Sequence, residues 1–182
     1  MRDRKERRRP AANYLGTMSA SRCVDYAETT VETLAPEDTR AIARRLGGLL
    51  RPGDLVALVG PLGAGKTCFV QGLAEGLDIA GPVTSPTFVL MRLHRGAMPL
   101  CHVDAYRLAG AGELLDLGFD DWLEESVVAL EWADTVCEAL PPERIEVLIE
   151  YAGDGRLLRL RGIGPRAAQI IERMKSDDDP RA

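Results

Sequence analysis

The order of apolar and polar residues along the chain predicts helices and strands in alternation. Five consecutive apolar residues, Leu55–Val59, indicate a strand that is buried on both faces, and Val127–Leu130 is a second run of this kind that ends in Glu131. Apolar residues recur at the spacing of one helix face in three longer stretches, which are 36–50, 66–77 and 165–174. An alternation of this type is typical of the α/β class.

Shorter patterns predict the remaining elements. Weak alternation predicts an edge strand near the start, and turn residues separate two further pairs of strands. The predicted strands of this group are 22–27, 88–94, 99–104, 144–151 and 156–161. The strands on either side of Gly96 are predicted to form a hairpin, and those around Gly153-Asp154-Gly155 a hairpin with one exposed face. Short helices are expected at 113–117 and 119–125.

The most informative motif stands directly behind the first apolar strand. The residues from Gly60 to Thr67, GPLGAGKT, fit the phosphate-binding pattern Gly-x-x-x-x-Gly-Lys-Thr. The loop glycines are Gly60, Gly63 and Gly65, and they allow the backbone to turn its N–H groups toward one point at the N-terminus of the next helix. Lys66 would reach the outer phosphates, and the Thr67 hydroxyl would face magnesium. A glycine-rich turn without a ligand is the alternative, and the strand and helix around the motif disfavour it.

This context extends the fold prediction. We predict a single-domain α/β fold of the P-loop NTPase-like type, in which the sheet is mostly parallel with antiparallel edge strands and helices cover both faces. A phosphate loop also needs a carboxylate at the end of a neighbouring strand to hold magnesium or orient water. Asp104 and Glu131 both follow apolar strands and qualify, although an ordinary charged strand end would look the same for either residue alone.

The bound base is predicted to be adenine. Guanine-reading GTPases use an Asn-Lys-x-Asp motif, but Asn13 is the only asparagine of the chain and precedes the phosphate loop. We expect the helix that begins at Pro36 to help form the wall against the base. The loop Ser85-Pro86-Thr87 is either a switch whose hydroxyls sense the outer phosphate or a simple hydroxyl-capped turn, and the sequence leaves both open.

Composition and charge narrow the function classes. The chain has 182 residues and a formal net charge of −5, which does not favour a surface that coats nucleic acid. No apolar run approaches membrane-spanning length and no signal peptide is evident, so we expect a cytoplasmic protein without membrane contact. The four cysteines form no Cys-x-x-Cys pair and are expected to be reduced, and His94 and His102 have no metal-binding spacing with them.

Both ends of the chain differ in composition from the middle. Basic residues crowd the first ten positions, and residues 1–18 are predicted to be a disordered extension, with Met18 as an alternative start. Residues 19–174 are predicted to form the ATPase domain. The last stretch, 175–182, is an acidic tail.

Four motifs together carry a resemblance to a known family. These are GPLGAGKT, Thr84-Ser85-Pro86-Thr87-Phe88, His102-Val103-Asp104-Ala105-Tyr106-Arg107-Leu108 and Glu131-Trp132. In this order and spacing, from about Leu34 to Tyr151, they closely resemble the bacterial TsaE (YjeE) family. Its members are small ATPases of the pathway that places threonylcarbamoyl on an adenosine of certain tRNAs. Cys68 departs from the family, in which a second threonine is common at this position, and Pro61 stands where an aspartate is frequent.

The resemblance implies a role for each matching residue. It implies that ATP or ADP phosphates are cradled by Gly63, Ala64, Gly65, Lys66, Thr67 and Cys68. It further implies that Thr67 and Glu131 bind Mg²⁺ and that Asp104 is needed for hydrolysis. Ser85 and Thr87 would belong to a switch-like loop, and Trp132 would lie near the nucleotide.

The resemblance also implies the partners. The ATPase would dock on a TsaB and TsaD assembly and reset it through nucleotide binding and hydrolysis, so that tRNA is contacted only through the complex. Two other functions remain open on the sequence alone, a small-molecule kinase with the same loop and a nucleotide-regulated adaptor. An arginine-rich lid, which kinases usually carry, is not evident between Phe119 and Glu131.

Overall fold

The computed structural model describes residues 25–176, which form one seven-stranded mixed sheet with helices packed on both of its faces. The strands are β1 (Tyr26–Thr33), β2 (Leu55–Val59), β3 (Met91–His94), β4 (Leu100–Asp104), β5 (Val127–Glu131), β6 (Arg144–Ala152) and β7 (Gly155–Ile163). The α-helices are α1 (Pro36–Gly47), α2 (Lys66–Gly76), α3 (Ala111–Asp116), α4 (Phe119–Glu125) and α5 (Pro165–Ser176). Short 3-10 helices follow β4 at Ala105–Arg107 and β5 at Ala133–Ala139.

The sheet has the order β1-β7-β6-β2-β5-β4-β3. Strands β6, β2, β5 and β4 form a parallel centre, whereas β1, β7 and β3 join it through antiparallel pairs. The prediction of a mostly parallel sheet is therefore wrong for the pairing, because three of the six pairs are antiparallel. The β6–β7 hairpin causes the difference, since it adds a wide antiparallel section beside β2.

The central strands separate two apolar cores. All five residues of β2 are buried, with Val56 and Leu58 packed toward α1, α2 and α5 and the other three residues toward α3 and α4. A strand covered on both faces needs apolar residues at every position, which is why β2 and β5 are continuous apolar runs rather than alternating ones. This packing fixes the carboxyl ends of the strands, where the loops that follow them meet.

Helices α1 and α2 pack with their backbones in close approach. A Cβ atom placed on Gly76 would lie 2.1 Å from the Arg44 carbonyl oxygen, and one on Gly72 would lie 2.4 Å from that of Arg40. Glycine is thus required on this face of α2, because any side chain would push the helices apart. The contact ties α2, which follows the GPLGAGKT loop, to the helix that begins at Pro36.

Several predicted boundaries differ from the structure. The strand predicted at 22–27 is β1, which runs from Tyr26 to Thr33; it does lie at an edge, and residues 22–24 lie outside the described part of the chain. The helix predicted to reach residue 50 ends at Gly47, where the backbone enters a turn. The strand predicted from residue 88 begins at Met91, because Leu90 has a positive φ of 66° and closes a turn onto the Pro86 carbonyl.

The exposed face predicted for the second hairpin is wrong for β6. Its residues from Arg144 to Ile149 are all buried, because β6 pairs with β2 on one side and β7 on the other and is not at an edge. The polar members of its alternating pattern are buried as a pair, since the Arg144 guanidinium donates to Glu146 Oε1 at 2.7 Å. Alternation here reflects a buried ion pair rather than contact with water.

The remaining predictions concern the two ends of the chain, membrane-spanning helices and the cysteines. The extension at 1–18 and the acidic residues 177–182 lie outside the described residues. Within residues 25–176, no helix combines the length and apolar character that a membrane crossing requires. The three cysteines of this range, Cys68, Cys101 and Cys137, are free thiols.

Candidate functional site

The loop from Gly60 to Thr67 leaves β2 and enters α2, as its pattern predicts. Gly63 and Gly65 have φ values of 77° and 109°, a region that side chains disfavour. At Gly60, a Cβ atom would lie 2.4 Å from the Ile149 carbonyl oxygen, so the loop also needs glycine for close packing against β6. The buried side chain of Ala64 lies beneath the loop.

The ammonium group of Lys66 is folded into this loop. Its Nζ donates to the carbonyl oxygens of Gly60 at 2.7 Å and Pro61 at 2.9 Å, and the residue is only 5% exposed. Nζ also lies 3.6 Å from the centre of a ring of Trp132, which follows β5. Trp132 has a positive φ of 60° and packs against the Tyr106 ring at 4.9 Å. A buried cation is therefore held at the mouth of the loop by carbonyl groups and an aromatic face.

The Thr67 hydroxyl and the Glu131 carboxylate are in direct contact. Thr67 Oγ1 donates to Glu131 Oε1 at 2.8 Å, and His102 Nε2 lies 2.8 Å from the same oxygen. Glu131 is only 3% exposed, and His102 is completely buried. The structure thus brings together the two residues expected to bind magnesium, and it places the packed His102 behind them.

Asp104 binds the hydroxyl-rich loop. Its Oδ2 accepts from Ser85 Oγ at 2.8 Å and from Thr87 Oγ1 at 2.5 Å, while its Oδ1 accepts from the Tyr106 N–H at 3.0 Å. The side chains of Ser85 and Thr87 also contact each other at 2.6 Å. Both readings of this loop are compatible with these bonds, since the hydroxyls cap a turn and also reach the carboxylate beside the phosphate loop.

Two residues at the site were missed in the sequence. Arg156 donates from Nε to the Ala64 carbonyl oxygen at 3.0 Å, and Tyr151 Oη donates to that of Leu62 at 2.8 Å. They stack on each other with the guanidinium carbon 4.5 Å from the ring centre. Both come from the β6–β7 hairpin, which turns at the same edge of the sheet as the phosphate loop. These two residues reach the loop only because β6 pairs with β2. No local sequence pattern predicts this pairing.

A cavity of about 330 Å³ opens beside the phosphate loop. Its walls come from the end of β1, the start of α1, the loop and the β6–β7 turn. Among its lining residues are Thr33, Pro36, Thr39, Gly65, Cys68 and Arg156. Cys68 lines this cavity, whereas Asp104 and Glu131 are not among its lining residues.

Burial shifts the pKa of three groups near the site. It raises the pKa of Asp134, against the opposing effects of a bond to its own backbone N–H and of the Lys66 charge. Burial also raises the pKa of the Cys68 thiol, which donates to the Pro36 carbonyl oxygen at 3.3 Å. For His94, burial lowers the pKa, and the neighbouring His102 and Arg92 act in the same direction.

The donor set fits a small hard cation. Mg²⁺ prefers oxygen ligands and takes only one or two from a protein that also presents phosphate, and Thr67 with Glu131 supplies two oxygen ligands in contact. Within the described range, no cluster of three His, Cys, Asp or Glu residues forms a separate metal site.

Comparison with known proteins identifies the family. Residues 33–158 match the family model "Threonylcarbamoyl adenosine biosynthesis protein TsaE". The tRNA threonylcarbamoyladenosine biosynthesis protein TsaE of Bacillus subtilis is 40% identical over 81% of this chain and 94% of its own length. The protein of the same name from Streptomyces coelicolor is 47% identical over 71% of this chain and 93% of its own.

A solved structure agrees with these sequence relatives. The crystal structure of YdiB from Bacillus subtilis superimposes with a TM-score of 0.75 and 35% sequence identity, covering 87% of this chain and 100% of that one. The family expected from the four motifs is thereby confirmed, and this chain belongs to the TsaE family of tRNA threonylcarbamoyladenosine biosynthesis proteins.

Proposed function

We propose that this chain is an ATPase with the P-loop NTPase fold that hydrolyses ATP to ADP and phosphate in support of tRNA threonylcarbamoyladenosine formation. The observation that carries the proposal is the convergence of Lys66, Thr67 and Glu131 at the carboxyl edge of the parallel strands. Lys66 is buried against loop carbonyls, and Thr67 bonds to Glu131 at 2.8 Å. A buried cation next to a hydroxyl and carboxylate pair is suited to a triphosphate with its magnesium ion.

In this proposal the loop amides and Lys66 bind the phosphates. Lys66 exchanges its carbonyl partners for phosphate oxygens, where its charge opposes the negative charge that grows as the outer phosphoryl group transfers. Thr67 and Glu131 would hold Mg²⁺, which neutralises phosphate charge when bound. Trp132 lies over the Lys66 ammonium group and would stand beside the bound phosphates.

Asp104 is proposed to orient the attacking water. Its carboxylate is nearly buried and already holds the hydroxyls of Ser85 and Thr87. The same oxygen could accept a hydrogen bond from water in line with the outer phosphate, and the two hydroxyls would then report on that phosphate as a switch. Hydrolysis consumes one water and releases ADP and inorganic phosphate.

The 330 Å³ cavity is the proposed site of the base. The start of α1 forms one wall, and Cys68 and Arg156 lie on others. The cavity offers apolar contact and a cation but no Asn-Lys-x-Asp motif, which favours adenine over guanine. Trp132 is not among the residues that line this cavity and lies against Lys66, so its proposed contact is with the phosphates.

The partner in this proposal is an assembly of TsaB and TsaD type proteins in the cytoplasm. Membership in the TsaE family supports the pathway. The net charge of −5 supports docking on protein rather than direct binding of tRNA, because nucleic-acid binding depends on clustered positive charge. The nucleotide state would then set whether the ATPase joins or leaves the assembly.

The proposal is tested with Lys66→Ala against Lys175→Ala. Lys175 is an exposed lysine paired with Glu172 on α5, so it controls for the loss of one ammonium group. Wild type and Lys175→Ala should bind ATP with magnesium by calorimetry and release phosphate slowly, whereas Lys66→Ala should do neither. Wild-type binding and hydrolysis in Lys66→Ala would overturn the proposal. Transfer of the phosphate to a metabolite instead of water would favour a kinase.

A further inference from the structure

His102 is the most deeply buried polar residue at the site and has no role in the function proposed above. It lies on β4 two residues before Asp104, is 0% exposed, and its Nε2 lies 2.8 Å from Glu131 Oε1. Strand register places it beside Ala129 of β5, the strand that lies between β4 and β2. Burying a polar side chain costs free energy unless the side chain forms a hydrogen bond. The contact with Glu131 is the bond that offsets this cost for His102.

The chemistry of this contact fixes the direction of the hydrogen bond. An ionised carboxylate can only accept, so the short contact requires a proton on His102 Nε2. The opposite tautomer would place two lone pairs 2.8 Å apart and would bury an N–H at Nδ1, which has no hydrogen-bond partner among the described residues. The His94 ring lies nearby, with the two imidazole centres 6.2 Å apart, and its own Nε2 also has no hydrogen-bond partner among the described residues.

The bond determines how Glu131 presents its oxygens. In the part of the chain that the structure describes, the bonds from His102 and from Thr67 both end on Oε1. Oε2 receives no side-chain bond in the same range and stays available. Because the histidine stands on a buried strand, its contact restrains the position of Glu131 Oε1 from the interior of the protein.

We propose that His102 is a positioning residue, whose Nε2–H orients Glu131 so that its carboxylate can bind the magnesium ion of the nucleotide. The inference rests on the proposed function, since it assigns a task within that site. Groups that orient a ligating carboxylate without touching the metal are general in metal sites, and their loss costs about 10- to 100-fold in metal affinity. Sequence spacing gave no reason to separate His102 from an ordinary packed histidine.

Two substitutions separate positioning from simple burial. In His102→Gln the side-chain amide reaches the place of Nε2 and can still donate to Glu131, whereas in His102→Asn the amide is too short and ends near the place of Nδ1. Calorimetry gives the affinity for ATP in EDTA and with excess Mg²⁺, and the ratio of the two measures the contribution of the ion. We expect His102→Asn to lower this ratio by about 10- to 100-fold. His102→Gln should keep most of it, and both should bind ATP in EDTA as wild type does.

A second measurement uses the wild-type protein and needs no buried substitution. The chain has only two histidines, so a long-range ¹⁵N–¹H spectrum of the imidazole rings contains two sets of signals, assigned with His94→Gln. A protonated His102 Nε2 is expected, and an unprotonated Nε2 would overturn the inference. An unchanged magnesium ratio in folded His102→Asn would do the same. Failure of the wild type to gain affinity from magnesium would instead overturn the proposed function.

Discussion

Asp104 and Glu131 are register partners at the ends of the parallel strands β4 and β5, yet their carboxylates bind different partners. Asp104 accepts from the hydroxyls of Ser85 and Thr87, whereas Glu131 accepts from Thr67 and is in contact with His102. Parallel pairing places both acids at the same edge of the sheet. The segments that pack against this edge differ for the two acids, so their carboxylates accept hydrogen bonds from different groups. One acid faces the hydroxyl loop and the other faces the phosphate-loop helix.

This separation predicts different effects for the two acids. Asp104→Asn keeps the size of the side chain and removes its charge, so ATP with magnesium should still bind while phosphate release falls by about 10²- to 10⁴-fold. Fluorescence titration and a phosphate-release assay measure the two effects. Asp120→Asn, at an exposed acid on α4, should match the wild type in both assays. A wild-type rate of phosphate release in Asp104→Asn would show that Asp104 has no role in hydrolysis.

Arg156 is predicted to support the shape of the phosphate loop. Arg156→Ala removes the donor to the Ala64 carbonyl, a charged hydrogen bond of about 1.5 kcal/mol, and nucleotide affinity should fall by about 10-fold. Arg159→Ala is the matched control, because this arginine of the same strand pairs with Glu28 and Glu150 on the other face. Equal losses in the two variants would show that only general charge is involved.

The contact between α1 and α2 predicts a stability effect without an effect on chemistry. Gly76→Ala would place a Cβ atom 2.1 Å from the Arg44 carbonyl oxygen, and both atoms belong to rigid helices. Urea unfolding should show a loss of about 1–3 kcal/mol. Gly112→Ala, in α3 with open space around its Cβ position, should be neutral or stabilising by about 0.4–1 kcal/mol. A neutral Gly76→Ala would contradict the close packing.

Cys68 provides a chemical probe of the cavity. Burial raises its pKa, so the reactive thiolate is scarce at neutral pH and alkylation should accelerate as the pH rises above the range usual for thiols. Iodoacetamide labelling followed by peptide mass spectrometry should show that ATP with magnesium slows the reaction at Cys68. The exposed Cys137 serves as the internal control and should react at the same rate with and without nucleotide at any one pH. If the labelling rate of Cys68 is the same with and without nucleotide, the base does not bind in this cavity.

The local patterns predicted much of the fold. The buried strands β2 and β5, the loop between β2 and α2 and the hairpin of β3 and β4 all follow from runs and turns of a few residues. The predicted element boundaries differ from the structure where turn geometry overrides the pattern. At Leu90 the positive φ breaks the extended backbone, so β3 begins only at Met91. Burial of β6 was not predicted, because its polar residues Arg144 and Glu146 satisfy each other inside the protein.

The sequence by itself determined the position of the loop from Gly60 to Thr67, the family and the two strand-end acids, because each depends on residues that are adjacent along the chain or follow a buried strand. Only the tertiary structure decided that Arg156 and Tyr151 brace the loop and that His102 stands behind Glu131. The reason is physical, since strand order and register bring these residues together across 29 to 92 positions of sequence. Local spacing carries no record of such contacts.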